Sequence, residues 1–108
     1  MNTVLALNND QMGQGDAELG RKLLGAFLSK SPVMKNLTGI VLYNAGVKLI
    51  VKDSPVLPAL KHLHDAGVDL FPCGTCLEYY GLKPELVRAS DMDEIIRELD
   101  RAEKVITL

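Results

Sequence analysis

A chain of 108 residues, 47% apolar and 24% charged, is long enough to bury roughly 60 to 70 per cent of its unfolded surface in one domain without disulfide or metal staples. A formal charge of −2 with no basic patch argues against nucleic acid or an anionic membrane as partner, and no apolar run approaches the roughly 18 residues of a membrane span. The sequence enters an apolar strand with no basic leader, so a cytoplasmic setting is expected, where thiols stay reduced and cysteines read as chemistry.

Val4 to Leu7 is a continuous apolar run, the pattern of a strand covered on both faces, and it ends in Asn8-Asn9-Asp10. Asp16 suits a helix N-cap, and Leu19, Leu23, Leu24, Phe27 and Leu28 recur at helical spacing up to about Lys30. The Gly13-Gln14-Gly15-Asp16-Ala17-Glu18 turn fails as a dinucleotide loop. Its third glycine position is Glu18, and two acids at the helix start repel a pyrophosphate.

Gly39 to Tyr43 is the second predicted strand, followed by Asn44-Ala45-Gly46, while Val47 to Val51 fits a strand, a loop or a single helical turn. Asp53 or Ser54 is expected to cap the next helix, with Pro55 and Pro58 in its first turn and Val56, Leu57, Leu60 and Leu63 inward. Gly67 ends it. Val68 to Phe71 reads as a third strand, closed by Pro72. Beyond the segment that follows, Gly81 fits a helix C-terminus and Val87 to Ala89 a further short strand. Ser90 or Asp91 then caps a helix with Met92, Ile95, Ile96, Leu99 and Ala102 inward, and Val105 to Leu108 closes the chain as a strand. The alternation predicts a single α/β domain over residues 1–108, three-layered, with a mostly parallel sheet of about five strands and helices on both faces.

Chemistry concentrates in Phe71-Pro72-Cys73-Gly74-Thr75-Cys76-Leu77-Glu78-Tyr79-Tyr80-Gly81, which holds both cysteines where a strand turns into a helix. Gly74 allows the tight turn, and the positive end of the helix favours thiolate at Cys73 and Cys76. The dipole supplies only about 0.3 to 1 kcal/mol, less than one pKa unit, so a strongly acidic thiol needs additional N–H donors. A reactive thiol, persulfide or redox pair is favoured over a structural disulfide, two inert buried cysteines or zinc. Zinc wants four ligands, and His62 and His64, the only histidines, point away from each other on a helix. No metal or cofactor is expected. In parallel sheets ligands sit outside the carboxyl ends of the strands, which would bring Asn9, Asp10, Tyr43 and Asn44 to one rim with Cys73, Gly74 and Thr75.

Three stretches resemble a known family: Asn9-Asp10 with Gly13-Gln14-Gly15-Asp16-Ala17-Glu18-Leu19-Gly20, Leu42-Tyr43-Asn44-Ala45-Gly46-Val47-Lys48-Leu49, and above all Cys73-Gly74-Thr75-Cys76-Leu77-Glu78-Tyr79-Tyr80-Gly81-Leu82. Together with the closing Ala102 to Leu108, they are similar to the DsrE/DsrF-like domain of YedF-type proteins, associated with selenium metabolism and classed as sulfurtransferase-like. The resemblance implies a DsrE-like three-layer fold and a homo-oligomer, which the high apolar content also favours. It further implies a persulfide-carrying cysteine with a glycine eight residues later, the spacing of Cys73 and Gly81. Cys76 has no counterpart in the sulfur-relay members and would resolve the persulfide or share the cargo. The YedF-type layout sets a TusA-like domain ahead of this one; none stands in this sequence, so the partner that would hand over sulfur is absent or has been cut away. The partners the resemblance implies are sulfur or selenium donor and acceptor proteins, with a TusA-like domain as one candidate.

The function so implied is a sulfurtransferase-like persulfide or selenium carrier using Cys73 with Cys76. One alternative is a thioredoxin-like dithiol oxidoreductase, against which stand the late position of the cysteine pair and the lack of a facing proline beyond Pro84. The other is a non-catalytic binding subunit.

Overall fold

The computed structural model describes residues 2–108, with strands β1 (Thr3–Leu7), β2 (Leu37–Leu42), β3 (Asp69–Pro72) and β4 (Lys104–Thr107). They form one parallel sheet in the order β3-β2-β1-β4. All five residues of β1 are buried, as its apolar run requires of an inner strand. The helices are α1 (Ala17–Lys30), α2 (Leu57–Asp65), α3 (Gly74–Tyr80) and α4 (Met92–Arg101). A 3₁₀ segment, Asn44–Ile50, takes in all but the last residue of Val47 to Val51, the stretch whose pattern fits strand, loop or helical turn.

Side chains alternate across a strand, so register assigns the faces. Ile106 points with Leu23 and Phe27 of α1, and its partner Leu5 pairs with Ile40; these form one face, on which α1 packs against α2. Val4 and its partner Gly39 point to the opposite face, where α4 brings Glu98 against Gly39.

The sheet has four strands among the described residues, not five. Val87 to Ala89 form none, because Leu86 takes a left-handed φ of +71° and turns the chain off the sheet edge. What remains of the expected fifth strand is one bridge, Cys73 to Ser90, with Ser90 N–H donating to the Pro72 carbonyl at 2.7 Å.

Asp16 caps α1 by accepting from Leu19 N–H at 2.8 Å, and Asp91 caps α4 by accepting from Glu94 N–H at 2.8 Å. Neither Asp53 nor Ser54 caps α2, which starts after Val56 without a side-chain cap. Asp53 sits at φ +72°, and the Ser54 hydroxyl accepts from Val56 N–H at 3.3 Å, a local turn that uses the hydroxyl before the helix begins. The inward faces of two helices are also narrower than their apolar spacing predicts. On α1, Leu24 and Leu28 are buried while Leu19 is 54% exposed and Leu23, at the edge of the covered face, is 46% exposed. On α4, Ile95 is buried but Met92 and Ile96 are exposed, and the other buried side chain is Glu98, only 3% exposed.

Candidate functional site

β3 delivers the cysteines. Cys73 is the N-cap of α3, and its N–H still bonds to the Leu42 carbonyl at 2.8 Å, so its backbone is an extension of the sheet. Gly74 N–H donates to the Ser90 carbonyl at 2.8 Å, and a Cβ on Gly74 would lie 2.8 Å from that oxygen. Glycine is therefore needed for close approach, and the first N–H of the helix is spent on Ser90. Gly81, at φ +67°, ends α3 after only 7 residues.

Both thiols are free. Cys73 is 2% exposed and lies under Cys76, three residues on and on the same helix face, so the two side chains meet. Cys76 is half-buried and opens into a cleft of ≈ 570 Å³ formed with Tyr43, Asn44, Thr75, Tyr79 and Tyr80. Asn44 N–H donates to Cys76 Sγ at 3.1 Å, the Tyr80 hydroxyl donates to Asn44 Oδ1 at 2.9 Å, and Lys48 Nζ stands 4.7 Å from the Tyr80 ring centroid. The Tyr79 ring meets that of Tyr80 edge-on with centroids 5.4 Å apart.

Burial pushes the Cys76 thiol above its ordinary range; the Asn44 N–H opposes that, and the adjoining Cys73 adds to the rise. The balance is opposite to the helix-dipole expectation. Two-turn α3 contributes little field, and burial outweighs the one donor Asn44 brings.

The rim residues divide. Tyr43, Asn44, Thr75 and Cys76 share the cleft, with Cys73 and Gly74 directly beneath and beside it. Asn9 lines a separate depression of ≈ 530 Å³ with Asn8 and Leu108, and its Oδ1 accepts from Asp10 N–H at 2.8 Å, ordinary turn chemistry. Asp10 faces Arg21 at 3.8 Å. Tyr80 and Lys48 also belong to the site, though neither stands at a strand end where sequence places ligand-facing residues. The signal for Tyr80 is its spacing: four residues after Cys76, it shares that helix face. His64 borders another depression, beside Arg88 and Glu94, and no group of three or more His, Cys, Asp or Glu able to hold a metal occurs among the described residues.

The segment that bridges Cys73 is tied down by charge. Arg88 grips both oxygens of Glu94 at 3.1 and 2.8 Å, and the Ser90 hydroxyl donates to Glu94 Oε1 at 2.7 Å. The guanidinium and the hydroxyl hold the Glu94 carboxyl down at about 2. A depressed acid contributes stability above its unfolded value, here 4.5, and loses it as pH falls toward about 2. Glu94→Gln is accordingly expected to unfold less steeply than the parent across that acid window when followed by circular dichroism. The difference is expected to shrink in high salt, because the pair is screened by solvent. Equal slopes would show the clamp to be energetically silent.

The molecule is thus a parallel α/β domain with a reduced thiol pair at the carboxyl end of its third strand. A family model for DsrE/DsrF-like proteins matches residues 1–108, and the chain belongs to the DsrE/DsrF-like family, which is associated with sulfur metabolism. Among solved structures it is similar to the YchN protein from E. coli, with a TM-score of 0.69 and 18% identity over 100% of both chains. It is also similar to MTH1491 from Methanobacterium thermoautotrophicum, a protein of unknown function, with a TM-score of 0.72 and 20% identity over 99% of this chain and 98% of that one. A third likeness is to BT1422 from Bacteroides thetaiotaomicron, with a TM-score of 0.62 and 18% identity over 99% and 95% of the chains. At these identities the likenesses establish the fold. No curated protein matches in sequence. No helix among the described residues is long and apolar enough to cross a membrane.

Proposed function

We propose that the thiol pair carries sulfur, or selenium, as a persulfide or its selenium analogue between a donor and an acceptor. The observation that carries this reading is the pairing of a cleft-facing Cys76 with a buried Cys73 against it, both reduced, at a strand end. In the loading step the Cys76 thiolate attacks the terminal sulfur of a donor persulfide. The donor S–S bond breaks, the donor leaves as a thiolate that takes up a proton, and Cys76 becomes the persulfide. An acceptor thiolate then attacks that terminal sulfur and Cys76 leaves as thiolate. If instead Cys73 attacks the inner sulfur, hydrosulfide departs and a Cys73–Cys76 disulfide remains. Family resemblance favours Cys73 as the carrier, whereas accessibility favours Cys76 as the atom a donor reaches first; Cys73 then receives the sulfur by a short intramolecular transfer. The raised Cys76 thiol implies that loading accelerates as pH rises through the neutral and alkaline range.

Intact mass spectrometry after brief exposure to a persulfide donor, and separately to a selenopersulfide donor whose S–Se bond breaks as the donor thiolate leaves, tests this. One added sulfur or selenium atom is expected on the wild type and on Cys73→Ser, and none on Cys76→Ser or the double variant. The adjacency of the thiols also favours a dithiol oxidoreductase. A wild type that only closes its internal disulfide, with no adduct, would replace the carrier by that second reading.

A further inference from the structure

The group that meets Cys76 comes from another element. Asn44 directly follows Tyr43 at the end of β2 and has a left-handed φ of +51°, shared among non-glycine described residues with Asp53 and Leu86. Asparagine tolerates that conformation better than most residues, yet it still needs contacts to hold it. Two contacts do so. Cys76 and Tyr80, one turn apart on the same face of α3, both reach Asn44: the sulfur accepts its backbone N–H, and the phenol donates to its side-chain oxygen. Lys48, from the same 3₁₀ segment as Asn44, lies over the Tyr80 ring and closes the arrangement. Glycine would supply the dihedral but not the second contact, and alanine would supply neither.

We propose that the Asn44 backbone N–H is a built-in holder for negative charge on Cys76 Sγ, and that Tyr80 and Lys48 are positioning residues that aim it. This rests on Cys76 being the reacting sulfur in the carrier function. In each transfer that sulfur passes between a neutral bonded form and a thiolate, as nucleophile when loading and as leaving group when delivering. A fixed N–H helps the charged form more than the neutral one, and it does so in both directions. The burial that raises the thiol makes this donor necessary, because a half-buried sulfur with no N–H partner would be a poor leaving group.

The test measures alkylation of Cys76 by iodoacetamide as a function of pH, in a Cys73→Ser background so that one thiol reacts. The other ionisable groups facing Cys76 are Tyr43, Tyr79, Tyr80 and Lys48. Tyr80→Phe removes only the hydroxyl, and is expected to move the midpoint upward and slow alkylation at neutral pH about tenfold, the effect of weakening a hydrogen bond to a charged atom. Asn44→Ala is expected to move it at least as far, and Lys48→Met in the same direction by less. A Tyr80→Phe profile superimposable on the parent overturns the proposal. So does a shift in Tyr80→Phe without one in Asn44→Ala, since the phenol would then act by itself. Sulfur loading of the wild type is read separately. A shifted midpoint without loading leaves the clamp standing and removes the carrier function, whereas loading with an unmoved midpoint does the reverse.

Discussion

Gly46→Ala is expected to destabilise the domain by about 3 kcal/mol or more and to disturb Cys76 from a distance. A Cβ on Gly46 would fall 2.0 Å from the Leu7 carbonyl oxygen and 2.8 Å from its carbon. Those are backbone atoms of β1, the strand flanked by β2 and β4, and the Leu7 carbonyl is fixed further by Tyr43 N–H at 3.1 Å. The sheet cannot give way, so the Asn44–Ile50 segment must lift, carrying Asn44 away from Cys76 and Lys48 away from Tyr80. A loss of this size lowers the melting temperature by roughly 10 to 20 °C in a domain whose whole stability is about 5 to 15 kcal/mol. Thermal unfolding with the Cys76 alkylation profile reads both consequences. A melting point within a few degrees of wild type, with an unchanged profile, would mean that the segment is not wedged against β1 and does not position the thiol.

The parts of this arrangement that sequence patterns reveal are those set by local chemistry. Four strands are legible because Val4 to Leu7, Gly39 to Tyr43, Val68 to Phe71 and Val105 to Leu108 are short, mostly apolar runs bounded by turn residues or by the chain end, and the thiol pair is legible because Pro72 and Gly74 mark a strand end turning into a helix. Val87 to Ala89 have the composition of a strand, but Glu85 N–H is taken by the Ile50 carbonyl at 2.7 Å and Leu86 turns left-handed, both consequences of what packs nearby. The contact between Asn44 and Cys76 joins residues 32 apart in sequence, and no periodicity reports it. Helix faces fail for a different reason. Apolar spacing marks every residue that could face the sheet, and Leu19, Leu23, Met92 and Ile96 lie on the flanks of the face that does. On α4 the face is centred where Gly39, lacking a side chain, leaves room for a carboxylate, which hydropathy alone would never put inside.

That carboxylate supports a contrast between two substitutions. Glu98 is 3% exposed and Arg101 Nη2 donates to its Oε2 at 2.6 Å, while Oε1 rests where a Cβ on Gly39 would come within 2.9 Å. Arg101→Ala leaves the carboxylate enclosed without its cation, and removal of one partner from such a pair costs about 3 kcal/mol. Glu98→Met fills a similar volume with an apolar chain and leaves only the largely exposed Arg101 unpaired, so it is expected to be neutral or stabilising by about 1 kcal/mol. The expected order of melting temperatures is Glu98→Met at or above wild type and Arg101→Ala roughly 10 °C or more below it. The reverse order would mean that Glu98 gains more from its surroundings on β2 than from Arg101. Combining the two substitutions separates the cases: with the carboxylate gone, Arg101→Ala should cost only a few tenths of a kcal/mol, because an exposed arginine without a partner has little left to lose.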